Sequence, residues 1–383
     1  MRHVYLAATG QNRGKTTVSL GVLDGFQKRG LSTGFIKPVG QRTIIEDGVP
    51  ADEDAVLMRS VFGLTEKLER MSPVHIPRGF TRQYIEGRVV DDLGARIREA
   101  HATFSERDML LIEGTGHAGV GAVIGLSNAV VAAMLGAPAI IVSEGGVGRP
   151  IDEIVLNAAL FERHGVRVGG AIVNKVDLDA RPDLAAVLER GLARAGIPLL
   201  GVLPYRPILS NPTLAMVLEA VNGETINAGP DLDQVVGSVA IGAMEPAHML
   251  ERVGPQTLVI VPGDREDVLL AITTAHLMGP ASGGATALGG NGPSEPPTRL
   301  GSALGLVLTG GYRPRQPVLD AIRRADLFAT LVAEDTYAVA SEVHDLLVKT
   351  HPSDAGKIEE IKSLLWEHLA IDRVLEVAAE APA

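Results

Sequence analysis

The chemistry of this chain starts at Gly14-Lys15-Thr16-Thr17, set between an apolar run that begins at Val4 and an amphipathic run that ends at Phe26. In a phosphate loop, backbone N–H groups curl around phosphates at the positive end of the following helix. A lysine neutralises the outer phosphates and a Ser or Thr hydroxyl holds Mg²⁺. Gly14, Lys15 and Thr16 fit these three tasks, with Thr17 as a further phosphate contact. The full G-x-x-x-x-G-K-[ST] spacing is not met, because Thr9 stands where the first glycine belongs and Gly10 follows it. A bare GKTT is also compatible with a solvated turn. Context decides against that, since strand, loop and helix in succession are what make the match a phosphate loop. The ligand expected from these residues is ATP or GTP with Mg²⁺.

Other side chains could complete such a site. Thr33 to Pro38 reads as a strand that delivers Lys37 at its carboxyl end, the edge where an open parallel sheet binds ligands; a second cation there could meet phosphates or a substrate carboxylate. Asp47 to Asp54 reads as a turn-rich acidic cluster heading a helix. Acids at a helix start are ordinary caps, but opposite a phosphate loop Asp52 or Asp54 could hold Mg²⁺ through carboxylate oxygen. Met109 to Ile112 is a buried strand ending in Glu113 and a loop with Gly114, Gly116, Gly119 and Gly121. A carboxylate delivered in this way is the physical content of a Walker B element. His117 in that loop reads as a polar loop residue. Asn174-Lys175-Val176-Asp177, at the end of the strand Gly169 to Val173, has the N-K-x-D form that reads guanine in many GTPases. Asn174 and Asp177 are therefore candidate base contacts, and ATP versus GTP stays open.

The elements that must position these groups read as an α/β protein. The 383 residues suit two domains. Apolar residues make up 46% of the chain and aromatics only 3%, so Val, Leu, Ile and Ala must fill the cores. The formal net charge of −11 repels phosphate backbones and anionic lipid, which argues against nucleic acid and membrane as partners. With no cysteine there is no disulfide, thiol catalysis or cysteine-ligated metal. No apolar run approaches the roughly 18 residues of a membrane span, and no leader precedes the first strand, so the expected location is cytoplasmic. Further alternation places a helix from Leu126 to Leu135, a strand from Ala139 to Ser143, a helix starting near Asp152 and a strand from Leu199 to Leu203. A phosphate-loop domain over residues 1–226 and a smaller α/β domain over 228–372 follow, the second interrupted by a Gly/Pro-rich insertion at 279–303 that is too poor in apolar residues to order itself.

ATGQNRGKTT, FIKPVGQ, ADEDAVLM, IEGTGHAGVG and GVLPYRPILSNP resemble the dethiobiotin synthetase type of phosphate-loop fold, which also occurs in cobyrinic acid a,c-diamide synthase and in the N-terminal region of long phosphotransacetylases. The resemblance implies a parallel sheet with helices on both faces. It places Lys15, Thr16 and Thr17 on phosphates and Mg²⁺, Lys37 at a substrate phosphate or carboxylate, Asp54 and Glu113 at the metal, and Asn174 near the base. Two features depart from related proteins: the loop lacks the extra lysine of MinD-like ATPases, and no glutaminase domain is evident. In the second half VVGSVAIGAM, LVIVPGDREDVLLAI, LGLVLTGGYRPRQPVL and LVAEDTYAVASEV resemble the DRTGG domain, here with Asp264-Arg265 and Thr309-Gly310-Gly311. Both pieces follow apolar strands and are expected to meet at one sheet edge. Arg265 is a planar anion clamp and the Thr-Gly-Gly turn would offer free N–H groups to an effector or partner; the bland alternative pairs Asp264 with Arg265 to fix the turn.

This domain order is that of the N-terminal half of long phosphotransacetylases, without the acetyltransferase domain, so no acetyl transfer is expected. One expectation is a nucleotide-binding regulator or sensor that self-associates or binds a metabolic enzyme. The other is an ATP-dependent ligase that activates a carboxylate or carbamate, with Lys15, Lys37 and Glu113 as its catalytic groups.

Overall fold

The computed structural model describes residues 1–278, 302–344, 346 and 349–379. The insertion expected at 279–303 lies outside the described residues except for Ser302 and Ala303. Two compact units form, Met1–Arg206 with Thr350–Ala383, and Pro207–Lys349. The second domain read from the sequence as running to residue 372 thus ends sooner, and the chain after it returns to the first unit.

In chain order the first unit contains β1 (Arg2–Ala8), β2 (Thr33–Ile36), β3 (Val39–Gly40), β4 (Thr43–Glu46), β5 (Val49–Asp52), β6 (Val74–His75), β7 (Met109–Glu113), β8 (Ala139–Glu144), β9 (Val168–Val176) and β10 (Leu199–Pro204). Six of them form a parallel sheet in the order β10-β9-β8-β1-β7-β2. Their sequences are near-continuous apolar runs because helices cover both faces of the sheet. From β1 the chain crosses toward β2, and from β8 it crosses the other way toward β9. The carboxyl ends of β1 and β8 therefore border a topological switch point, where ligands bind in such sheets.

Two local expectations are corrected. The acidic stretch 47–54 is not simply a turn: β4 and β5 pair antiparallel across Asp47-Gly48, and the helix α2 (Glu53–Phe62) begins only after Asp52. Thr43–Glu46 and Val49–Asp52 pair from Thr43 opposite Asp52 to Glu46 opposite Val49, and the positive φ of Asp47 (52°) and Gly48 (78°) makes the turn. The helix expected to start near Asp152 spans Gly148–Arg163, since Pro150 sits in a first turn, where a missing N–H costs little.

The phosphate-loop helix α1 (Lys15–Gln27) buries residues on more than one side. One side lies against the sheet. The other receives the helices Ala355–His368 and Ile371–Ala379, which follow the second unit in sequence. Gly21 and Gly25 allow that approach: a Cβ on Gly21 would lie 2.1 Å from Leu365 Cγ, and one on Gly25 2.7 Å from Ile371 Cδ1.

The second unit is built on β11 (Glu224–Asn227), β12 (Ser238–Ile241), β13 (Thr257–Pro262), β14 (Gly305–Thr309) and β15 (Phe328–Leu331), in the order β11-β15-β14-β13-β12 with β11 antiparallel. Side-chain alternation splits this unit's core between the two sheet faces: Val259, Val261, Leu306 and Leu308 pack on one, and Leu258, Ile260, Val307 and Phe328 on the other.

Candidate functional site

β1 ends at Ala8, and the loop from Thr9 to Gly14 leads into α1 at Lys15. Asn12 and Gly14 have positive φ (58° and 88°), the left-handed backbone region that turns the loop sharply. Among the described residues, none of the backbone N–H groups from Gly10 to Thr17 donates to a protein acceptor; Thr9 N–H bonds Val142 O and Val18 N–H bonds Gly14 O on either side. No side chain caps α1. An uncapped helix start of this kind leaves partial positive charge for an anion.

Neighbouring strand ends brace the loop. The Asn174 amide donates to Arg13 O at 3.2 Å, and a Cβ on Gly14 would sit 2.0 Å from Asn174 Nδ2, so only glycine fits there. Lys175 donates to Asn12 O at 2.9 Å and pairs with Glu144 at 3.0 Å. Arg13 ion-pairs with Glu144 and approaches Glu153 at 3.6 Å. Thr9 donates to Glu153 at 2.9 Å. Asn174 and Lys175 of the N-K-x-D stretch thus meet the loop itself, whereas Asp177 is exposed and accepts from Ala180 N–H at 3.0 Å.

Beyond the loop lies a charge cluster from four elements. Lys37, following β2, donates to Asp54 at 2.6 Å and to Glu113 at 2.7 Å. Thr16 donates to the other Asp54 oxygen at 2.9 Å, and Ser19 to the second Glu113 oxygen at 2.5 Å. Ser19, not anticipated from the sequence, lies one helical turn beyond Lys15. Asp52 does not join the cluster: it caps α2 by accepting from Asp54 N–H at 3.1 Å and accepts from Arg42 N–H at 3.3 Å. Among the described residues, Lys15 hydrogen-bonds only the carbonyls of Gly10 and Gly116, each at 3.5 Å.

Burial sets the electrostatics. Desolvation and the nearby Asp54 charge raise the fully buried Glu113 to about 7, against the pull of Lys37. Burial also works against ionised Asp54, but the Lys37 ammonium and the Lys37 and Thr16 hydrogen bonds hold its carboxyl well below the usual range. Desolvation opposes charge on Lys37, and Asp54 and Glu113 overcome it, so Lys37 stays protonated. Burial, followed by the Lys37 charge, lowers Lys15 to about 8 although Glu113 and Asp54 draw it up; Arg42 adds a further downward push.

No three acidic or histidine side chains converge as a metal set among the described residues. The Thr16 hydroxyl and Asp54 carboxylate, adjacent to the open N–H groups, are hard oxygen donors of the kind Mg²⁺ takes alongside phosphate oxygens. They fit that ion. Both oxygens of Glu113 are occupied by Ser19 and Lys37.

In the second unit, Asp264-Arg265 and Thr309-Gly310-Gly311 do meet. β13 and β14 pair with Pro262 opposite Thr309, and Gly263 N–H bonds Thr309 O at 3.0 Å. The turn does not offer free N–H groups, however: Gly310 N–H bonds Glu334 O at 2.7 Å and Gly311 N–H bonds Val332 O at 2.9 Å, because the turn folds back on the segment after β15. Thr309 bonds the Thr336 hydroxyl at 2.7 Å. Arg265 pairs with Asp267, not with Asp264, at 3.0 Å and also donates to Met244 O at 3.0 Å. These contacts fasten the turn.

Among the described residues, no helix is long and apolar enough to cross a membrane. The chain is similar to curated phosphate acetyltransferases. That of Pseudomonas putida is 28% identical over 393 residues, covering 96% of this chain and 51% of that protein. That of Escherichia coli is 23% identical over 407 residues, covering 99% of this chain and 53% of that protein. The chain spans about half the length of the curated relatives it matches. Residues 216–346 match the DRTGG domain. Residues 2–213 match the AAA domain, so the chain belongs to that family, as a nucleotide-binding P-loop protein whose AAA domain is followed by a DRTGG domain.

Proposed function

We propose that the first unit binds a nucleoside triphosphate with Mg²⁺ and serves as a regulatory or sensor module, as in the N-terminal region of phosphate acetyltransferases. The observation that carries this reading is the run of unpartnered N–H groups from Gly10 to Thr17, beside a lysine with only two long carbonyl contacts. Phosphates would lie on those N–H groups with Lys15 over the outer ones. Thr16 and Asp54 would hold Mg²⁺, whose part is to neutralise phosphate charge. Lys37, kept charged by Asp54 and Glu113, supplies a further fixed positive centre. Asn174 and Lys175 keep the loop preformed, which reduces the ordering cost of binding. A cytoplasmic location and self-association, or docking to a metabolic enzyme, belong to the same reading.

One observation favours an ATP-dependent ligase as a second reading: Glu113 is a buried acid held near neutrality, suited to accepting or giving a proton. Calorimetric titration with Mg-ATP and Mg-GTP, followed by phosphate release on the same sample, separates the two. Binding with negligible turnover is expected for the regulator, and turnover stimulated by a carboxylate or amine would mark the ligase. Lys15→Ala should abolish binding without altering the fold. Unchanged affinity in that variant would refute the nucleotide site.

A further inference from the structure

The nucleotide reading leaves Arg42 unused. Its guanidinium is exposed and, among the described residues, has no hydrogen-bond or ion-pair partner, while its main chain is fixed. Arg42 N–H donates to Asp52 at 3.3 Å and Arg42 O accepts from Glu53 N–H at 3.0 Å, closing the root of the β4–β5 hairpin against the start of α2. The residue after Glu53 is Asp54, which reaches Thr16 at 2.9 Å and Lys37 at 2.6 Å. Arg42 is thus tethered at the helix end that supplies the carboxylate of the phosphate site. Lys37 is already committed to two carboxylates, whereas among the described residues neither Lys15 nor Arg42 has a carboxylate within ion-pair distance.

We propose that Arg42 binds the terminal phosphate of the nucleotide, so that the site discriminates a nucleoside triphosphate from a diphosphate; this rests on the nucleotide reading above. The inner phosphates are served by the loop N–H groups at the start of α1. The α2 end approaches through Thr16 and Asp54, on the side where the outer phosphates and Mg²⁺ would lie. A guanidinium fork is suited to two phosphoryl oxygens at once, which a lysine ammonium is not.

The test is calorimetry on the full chain with the Mg²⁺ complexes of ATP, ADP, GTP and GDP, comparing the unaltered protein with Arg42→Ala, Arg42→Lys and Lys15→Ala. Losing a charge-assisted contact of this kind should weaken triphosphate binding roughly tenfold to a hundredfold. Diphosphate binding should stay within about twofold of the unaltered protein. Arg42→Lys should recover part of the loss. Since only main-chain atoms of Arg42 hold the hairpin, the thermal midpoint should be unchanged in Arg42→Ala. An unchanged ratio of triphosphate to diphosphate affinity in Arg42→Ala overturns the assignment. If Lys15→Ala still loses binding in that case, only the role of Arg42 fails. If the unaltered protein binds no nucleotide, or Lys15→Ala binds as well as it does, the nucleotide reading fails and takes this inference with it.

Discussion

Lys37 shows how far single side chains are bound to one another here. It is enclosed by Asp54 and Glu113, so removing its charge leaves two carboxylates in a buried space with no cation between them. Breaking a buried pair in this way costs about 3–5 kcal/mol. Lys37→Met should therefore lower stability to urea by that amount, and adding Glu113→Gln should restore part of it. If the two losses simply add, the residues are not coupled as the structure shows. Lys15 governs the response to pH. Its folded value of about 8 lies below the ordinary 10.5, so between these values the native protein holds fewer protons than the unfolded chain, and the empty protein gains stability from Lys15 as pH rises. Glu113 acts in the opposite sense over its own window, from 4.5 to about 7: there the native state holds the extra proton and stability falls as pH rises. Phosphate binding requires charged Lys15, so nucleotide affinity should fall as pH rises through about 8 and binding above that value should take up a proton. Calorimetry in two buffers of different ionisation enthalpy measures this uptake directly; zero uptake would mean that Lys15 is already protonated in the empty site.

Among elements, the phosphate loop is shaped as much by β8 and β9 as by its own sequence. Glu144 and Asn174 come from the ends of those strands and meet Arg13, while Lys175 meets Asn12. Gly14 is where this packing is tightest. Ala at position 14 would have to adopt a φ of 88° and would collide with the Asn174 amide. Gly14→Ala should weaken nucleotide binding well beyond any change in thermal midpoint, because the loop and not the sheet must move to accommodate the methyl group. Asn174→Ala in the same background should recover part of the affinity by removing the obstacle. No recovery would place the penalty in backbone strain alone, which costs roughly 1–2 kcal/mol for a residue in the left-handed region. The hairpin Thr43–Asp52 offers a contrasting case: its pattern was legible as acidic and turn-rich, but its pairing was hidden because Pro50 and the exposed Ile44 and Ile45 blur the alternation.

At the scale of the molecule, the chain leaves the nucleotide-binding unit, builds a second sheet and returns. The returning helices fill the side of α1 that the sheet does not cover, with Leu365 over Gly21 and Ile371 over Gly25. Leu365 and Ile361 are fully buried. A chain ending at Lys349 would expose this face, and Leu365→Ala alone should cost about 2–5 kcal/mol as a cavity next to α1. The expected result for the truncated chain is a lower thermal midpoint of the first unit and loss of nucleotide binding. An unchanged midpoint would show that the returning helices are dispensable to the unit on which they pack.

The sequence by itself determined the chemistry of the loop and the alternation of strands and helices. Gly14, Lys15 and Thr16 are adjacent in the chain, and the buried parallel strands are written as uninterrupted apolar runs such as Val4 to Ala8 and Met109 to Ile112. It also brought Lys37, Asp54 and Glu113 forward as candidates one by one, since each stands at the end or start of a legible element. Their convergence was a matter of tertiary structure. Lys37 lies between Asp54 and Glu113 because β2 and β7 are neighbours in the sheet and α2 begins against α1, and no local pattern records which strands pair. The same reason hid Ser19, Glu144 and Glu153, which are ordinary polar residues until folding sets them against Glu113, Arg13 and Thr9. It also reversed the reading of Thr309-Gly310-Gly311: residue types suggest an open turn, whereas Val332 and Glu334, brought close by the pairing of β14 with β15, take up its N–H groups.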